Sequence, residues 1–222
     1  MRDWAEWHSG YDDPASALSR RLEHVKTRLS AAIDGCPPGP VRLLSLCAGQ
    51  GRDVIGVLPA HRRRDDVRAL LVEYDGRNAE VARRRAAEAN LAQVRIRQAD
   101  AAQIASFADA LPADVLLLCG IFGNISDSDI QRTVFAAPAL CAPGATVIWT
   151  RHRRPPDLTP AIRQWFADSG FAEVAFDQLD TGRLVSVGTH RLADAHGDQA
   201  KAVIPAGPLF TFREKDDQPC QT

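Results

Sequence analysis

The chain has 222 residues, 45% of them apolar and 25% charged, with a formal net charge of −1. That length suits one α/β domain with additions, large enough to bury a core without disulfide or metal staples, and the near-neutral balance argues against wholesale binding to nucleic acid or an anionic membrane surface. Cys36, Cys47, Cys119, Cys141 and Cys220 form no C-x-x-C pair and read as reduced thiols, and with no basic-then-apolar leader and no apolar run near the roughly 18 residues a membrane span needs, a cytoplasmic protein is expected.

Residues 1–12 interleave polar side chains with Trp4, Trp7, His8 and Tyr11. Such a segment either packs its rings on the domain or forms a lid over a ligand. Asp13-Pro14 predicts a helix start, with Asp as cap and Pro at the first helical position. Leu18, Leu22, Val25, Leu29 and Ile33 then recur at helical spacing and define one apolar face, while Arg20, Arg21, Lys26 and Arg28 read as a solvated face. Gly35 closes the helix and residues 36–40 form a stiff connector, so residues 1–40 are expected to cap the domain.

Val41–Leu46 is a short apolar run that stops at small residues, Cys47, Ala48, Gly49 and Gly51, before a second apolar segment, Val54–Leu58. A buried strand turning sharply into a helix leaves such a pattern, with backbone exposed at the turn. Beyond it, Arg62–Arg64 reads as solvated. Val67–Tyr74 is a second strand, Asn78–Ala89 a helix rich in Ala and Arg, and Val94–Gln98 a third strand. A helical segment over Ala102–Ala110 leads to a fourth strand, Asp114–Cys119, and a loop, Gly120–Ser126. Ser126 with Asp129 resembles a capping box for a helix running to about Cys141, which Pro138 is expected to kink or cut short. A fifth strand, Ala145–Thr150, and a helix opened by Thr159-Pro160 and ended by Gly170 follow. Phe171–Asp177 and Arg183–Arg191 read as two last strands.

This order predicts an α/β, Rossmann-like, doubly wound and mostly parallel sheet with an antiparallel C-terminal hairpin and an N-terminal helical cap. The domain spans residues 41–192, and residues 193–222 form a tail that docks through 209–212.

In such a sheet ligands lie beyond the carboxyl ends of the strands, where the strand order reverses. The first strand supplies the turn Ser45–Gly51. The second ends Val72-Glu-Tyr-Asp75, placing Asp75 24 positions after Gly51, near the offset at which an acid holds a nucleotide ribose; Glu73 is the weaker candidate. Asp100, followed by Ala101, ends the third strand and suits the amino group of an adenine. A nicotinamide dinucleotide favours a third glycine where this chain has Val54. The combination points to a nucleoside without a pyrophosphate.

These residues resemble the class I S-adenosylmethionine-dependent methyltransferases. Residues 43–51, Leu-Leu-Ser-Leu-Cys-Ala-Gly-Gln-Gly, look like that family's first motif, Val72–Asp75 like its ribose-binding segment, and Ala99-Asp-Ala101 like its adenine contact. Cys119-Gly-Ile-Phe-Gly-Asn124 looks like the segment beside the methionine and the acceptor, and residues 140–148 like its entry into the fifth strand. Two positions depart from the pattern: Ser45 stands where an acid is usual and Cys47 where the first glycine is usual. Loss of the acid is expected to weaken or rearrange the contact to the ligand's amino group.

The resemblance implies S-adenosyl-L-methionine as cofactor, held by Ser45, Cys47, Ala48, Gly49, Gln50, Gly51, Asp75, Asp100, Ala101, Cys119, Gly120 and Tyr11. It implies methyl transfer to a small-molecule acceptor through oxygen, nitrogen or carbon, with no nucleic-acid or membrane partner. The rival readings are a protein of this fold that binds the cofactor without methylating, and a nicotinamide-dependent oxidoreductase. His152, beyond the fifth strand, is the candidate base if the acceptor must lose a proton; otherwise it belongs to a structural loop. His8, Phe122, Asn124, Arg151 and Arg153 are candidate acceptor contacts, the arginines suiting an acidic group. The six histidines show no paired metal-ligand spacing, so no metal site is expected.

Overall fold

The computed structural model describes residues 8–180, 184–194 and 206–213. Its seven strands are β1 (Val41–Leu46), β2 (Val67–Glu73), β3 (Val94–Gln98), β4 (Ala113–Leu118), β5 (Cys141–His152), β6 (Phe171–Asp180) and β7 (Leu184–Leu192). They form one sheet in the order β3-β2-β1-β4-β5-β7-β6. The first five pair in parallel, and β7 runs antiparallel between β5 and β6. Strand order therefore reverses between β1 and β4, which opens a crevice at their carboxyl ends.

Helices α1 (Ala17–Gly35), α2 (Val54–Val57), α3 (Gly76–Glu88), α4 (Asp127–Leu140) and α5 (Thr159–Asp168) cover the two faces. The central strands are apolar on both sides, and the two-residue alternation divides their side chains between two cores. Leu44, Leu46, Leu70, Val72, Leu116 and Leu118 join Ile130 and Val134 of α4 and Phe166 of α5. Leu43, Leu71, Val115 and Leu117 face Val25, Leu29 and Ile33 of α1 and Ala82 and Ala86 of α3. No helix among the described residues is long and apolar enough to cross a membrane.

Several local expectations are corrected. α1 starts at Ala17, not after Asp13: Ser16 is the N-cap, its Oγ accepting from the Ser19 N–H, and Asp13-Pro14 forms the preceding turn. Between β3 and β4 there is no α-helix, only 3-10 turns at Ile104–Ser106 and Ala108–Ala110. Phe107 breaks them apart with φ −146° and turns its ring fully into the core. α4 continues two residues beyond Pro138; the proline falls in the last turn, where little helix remains to lose. Ser126 caps α4 through the Asp129 N–H, 3.1 Å, but the Asp129 carboxylate turns to Arg132 and to the Thr211 N–H instead of closing a capping box.

Two arginine groups read as solvated are structural. Arg63 donates to the carbonyls of Ile33, Cys36, Pro37 and Gly39 and pairs with Asp66, fastening the end of α1 and the connector. Arg28 forms a two-armed contact with Asp177 of β6 at 2.7 and 2.5 Å, which ties α1 to the hairpin.

Candidate functional site

The turn after β1 is built on left-handed backbone at Cys47 (φ 54°), Gly49 (φ 56°) and Gly51 (φ 64°). Gly51 admits no side chain: a Cβ there would stand 2.7 Å from the Ile55 Cδ1 and 2.8 Å from the Leu71 Cδ2. Cys47 accepts the same strained region with a Cβ, so the position where the family has glycine keeps the glycine conformation. The turn is fixed from β2, whose Val72 carbonyl accepts from the Ala48 N–H.

Glu73, the last residue of β2, carries the more telling contact. Its Oε2 accepts from the Gly49 N–H at 2.7 Å and its Oε1 from the Asp75 N–H at 2.8 Å. The residue is 8% exposed. Burial raises its pKa, and the two backbone donors oppose that shift. Asp75 acts differently, as the N-cap of α3, accepting from the Arg77 N–H at 2.9 Å. Its side chain also pairs with the Arg77 guanidinium at 2.8 Å, which holds its pKa down.

A cleft of about 500 Å³ opens over this turn at the carboxyl ends of the strands. β1 and its turn contribute Ser45, Cys47, Ala48, Gly49, Arg52 and Asp53; β2 and α3 contribute Glu73, Tyr74, Asp75 and Asn78. Asp100–Gln103 form the wall beyond β3, and Cys119, Gly120 and Asn124 the wall beyond β4. Tyr11, Arg21 and Leu22 cover it from the N-terminal side, and residues 208 and 210–213 from the tail.

Ser45, Cys47, Ala48, Gly49, Asp75, Asp100, Ala101, Cys119, Gly120, Tyr11 and Asn124 thus stand around one cleft. Gln50 and Gly51 shape the turn from behind, with the Gln50 amide on the Asn78 side chain at 3.3 Å. His8 has no described side chain. Phe122, Arg151, His152 and Arg153 are not in the lining. Phe122 is core, its ring 5.9 Å from Trp149; Arg151 donates to the Phe122 carbonyl and faces Asp127; the Arg153 N–H donates to the Leu184 carbonyl. His152 sits at the end of β5 beside Gly123. Burial, then the charges of Arg151 and Arg154, lowers its pKa to about 4. An imidazole so depressed is neutral at pH 7 and a weak proton acceptor.

Arg21, Arg52, Asp53, Tyr74 and Asn78 were not legible as site residues, nor was the tail's place in the cleft; Glu73 was legible only as the weaker acid. Arg21 donates to the Tyr11 hydroxyl at 2.9 Å. Arg52 lies over the Tyr11 ring at 5.4 Å and pairs with Asp12 at 2.9 Å. The tail is held by Thr211 N–H on Asp129 at 3.0 Å, by Leu209 N–H on the Ala102 carbonyl, and by a bridge between Ile125 and Phe212.

A family model described as "Putative methyltransferase" matches residues 17–167, more than half of the chain. No curated protein matches it by sequence. Among solved structures, an O-methyltransferase family protein from Burkholderia thailandensis is 16% identical with a TM-score of 0.63, over 83% of this chain and 58% of that one. The chain therefore spans less than two thirds of that protein. Magnesium protoporphyrin IX methyltransferase from Synechocystis PCC 6803, solved with bound SAM, is 11% identical with a TM-score of 0.61, over 78% and 80%. An RNA methyltransferase from Salinibacter ruber, solved with S-adenosyl-L-homocysteine, is 21% identical with a TM-score of 0.52, over 79% and 95%. At these identities the likeness is one of fold, and it is the match over residues 17–167 that places this chain in the methyltransferase family.

Proposed function

We propose that the chain binds S-adenosyl-L-methionine in this cleft and transfers its methyl group to a small-molecule acceptor. The observation that carries the reading is the Glu73 carboxylate, held by the Gly49 N–H at the point where strand order reverses. Two backbone donors fix its oxygens and leave lone pairs for the two hydroxyls of a ribose.

Other features support the fit. Gly49, in the cleft wall, lets a ligand approach the backbone closely. The buried Asn78 Nδ2 has no hydrogen-bond partner among the described residues and stands beside the cleft, a donor suited to a ribose oxygen. Asp100 and the small Ala101 and Ala102 line the cleft together with the exposed Tyr74, a set suited to an adenine. A pyrophosphate fits poorly, because the Asp53 carboxylate already caps α2, accepting from the Val54 N–H at 2.7 Å. A carboxylate at that helix start would repel a dinucleotide's phosphates.

When bound, the cofactor supplies a methyl group activated by a sulfonium. The protein's contribution is alignment: the walls from β1 to β4 hold the nucleoside, and Tyr11 and the tail narrow the space left for the acceptor. A cleft covered from both sides favours a small acceptor over a polymer.

Calorimetric titration with S-adenosylmethionine, S-adenosylhomocysteine and the nicotinamide nucleotides tests this directly. Binding of the first two alone is expected, with methyl turnover on a panel of small acceptors. Binding of a nicotinamide nucleotide alone would overturn it, and binding without turnover across the panel would favour a non-methylating role.

A further inference from the structure

The contacts above account for the nucleoside end of the ligand. Its amino-acid end is a zwitterion, one ammonium and one carboxylate, and the acid usual at the end of the first strand is here Ser45. Two oppositely charged side chains outside the family's motif line the other end of the cleft, on the β4 side of the turn.

Asp53 follows the turn directly and is 8% exposed. Its Oδ1 is engaged with the Val54 N–H, and the residue lines the cleft. Arg21 reaches the same place from α1, where its guanidinium meets the Tyr11 hydroxyl. Cys119, just beyond the end of β4, lines the same cleft, and its thiol feels the negative charge of Asp53 and the positive charge of Arg21. The Tyr11 hydroxyl feels the same two groups. The adenine side, Asp100 to Gln103, lies across the turn beyond β2 and β3.

We propose that Asp53 and Arg21 clamp the amino-acid end of the cofactor, Asp53 taking the ammonium and Arg21 the carboxylate. Asp53 thereby replaces the acid that Ser45 lacks. The chemistry favours this pairing, because a carboxylate taken out of water is costly until enough positive charge meets it, and burial raises the Asp53 pKa against the backbone N–H donors and the weaker pull of Lys26 and Arg21. An arriving ammonium relieves that cost. A guanidinium suits a carboxylate through two parallel donors.

The assignment rests on the S-adenosylmethionine reading, and the test separates the two. Three compounds are titrated into the full chain: S-adenosylhomocysteine, decarboxylated S-adenosylmethionine, which keeps the amine and lacks the carboxylate, and 5′-methylthioadenosine, which lacks both. Asp53→Asn and Asp53→Ser both keep the helix cap. Each is expected to weaken S-adenosylhomocysteine and the decarboxylated compound at least tenfold and to leave methylthioadenosine within twofold. Arg21→Gln is expected to weaken S-adenosylhomocysteine at least tenfold while sparing the other two. Equal losses on all three compounds would mark a structural role and overturn the clamp, as would no loss on any. If the wild-type chain binds none of the three, the cofactor reading fails and the clamp fails with it; binding of methylthioadenosine with unaltered variant affinities sinks the clamp alone.

Discussion

The Glu73 carboxylate and the Gly49 backbone N–H are joined by a 2.7 Å hydrogen bond that ties the end of β2 to the turn after β1. The acid proposed to take the ribose and the turn supporting it are thus one unit. Glu73→Gln places an amide nitrogen where one of two backbone N–H groups now donates. We expect it to lower cofactor affinity by roughly 10- to 100-fold, the size of a lost charge-assisted contact. Asp75→Asn keeps the cap of α3 and should change affinity by less than about threefold. Calorimetry on both variants, with thermal melts to establish folding, checks the contrast.

Cys47 holds φ 54° with a Cβ, a conformation that costs an L-residue roughly 1–2 kcal/mol. Cys47→Gly removes that strain, loses the packing of the thiol and frees the unfolded chain, so stability should change by no more than about 1 kcal/mol. Cys47→Val adds β-branching in the same region and should cost about 2 kcal/mol or more. Urea unfolding of both variants tests the sign of the difference.

Trp149 donates its indole N–H to the Nδ1 of His190 at 3.2 Å, so the histidine is held neutral with its proton on Nε2. Burial lowers the His190 pKa from 6.5 to about 4, against the attraction of Glu173. With the folded pKa below the unfolded one, the unfolded chain binds more protons between pH 6.5 and 4. Stability contributed by neutral His190 is therefore complete above pH 6.5 and falls as pH drops to 4, by about 3 kcal/mol over the interval. In His190→Gln the unfolding free energy should depend less steeply on pH in this window. Equal slopes in the two proteins would contradict the assignment.

Asp129 anchors the tail through the Thr211 N–H and pairs with Arg132. Asp129→Ala should loosen residues 208–213 and cost about 1–2 kcal/mol. Weaker cofactor binding should accompany faster proteolysis of the tail, while melting of the sheet changes little. Limited proteolysis with and without S-adenosylhomocysteine reads both effects.

Most of the architecture was legible because β1, β2 and β4 are buried on both faces beyond their second residues, Arg42, Arg68 and Asp114, and read as nearly continuous apolar runs, and a small-residue turn follows β1. The site was less so. Glu73 and Asp75 are two residues apart and would share a face of an extended strand; Glu73 turns inward because β2 ends there, and Asp75 already belongs to the cap of α3. Strand ends are set by such local competition, which periodicity does not resolve. Arg21 belongs to the polar face of α1, and only the docking of that helix against β5 and β7 turns it toward the cleft. Asp53 reads as an ordinary cap until its place in the cleft wall is seen. His152, read as lying beyond the fifth strand, is the last residue of β5, and burial and its arginine neighbours lower its pKa out of the range of a useful base.

The two flanks of the cleft come from opposite ends of the chain's order, Tyr11 ahead of α1 and residues 208–213 after β7. Each is fastened by a few hydrogen bonds and not by the sheet ladder. On the function proposed above, the strand ends hold the nucleoside and these two segments bound the space left for the acceptor. Grafting the two flanking segments from a relative should change acceptor preference, with a smaller loss of cofactor affinity.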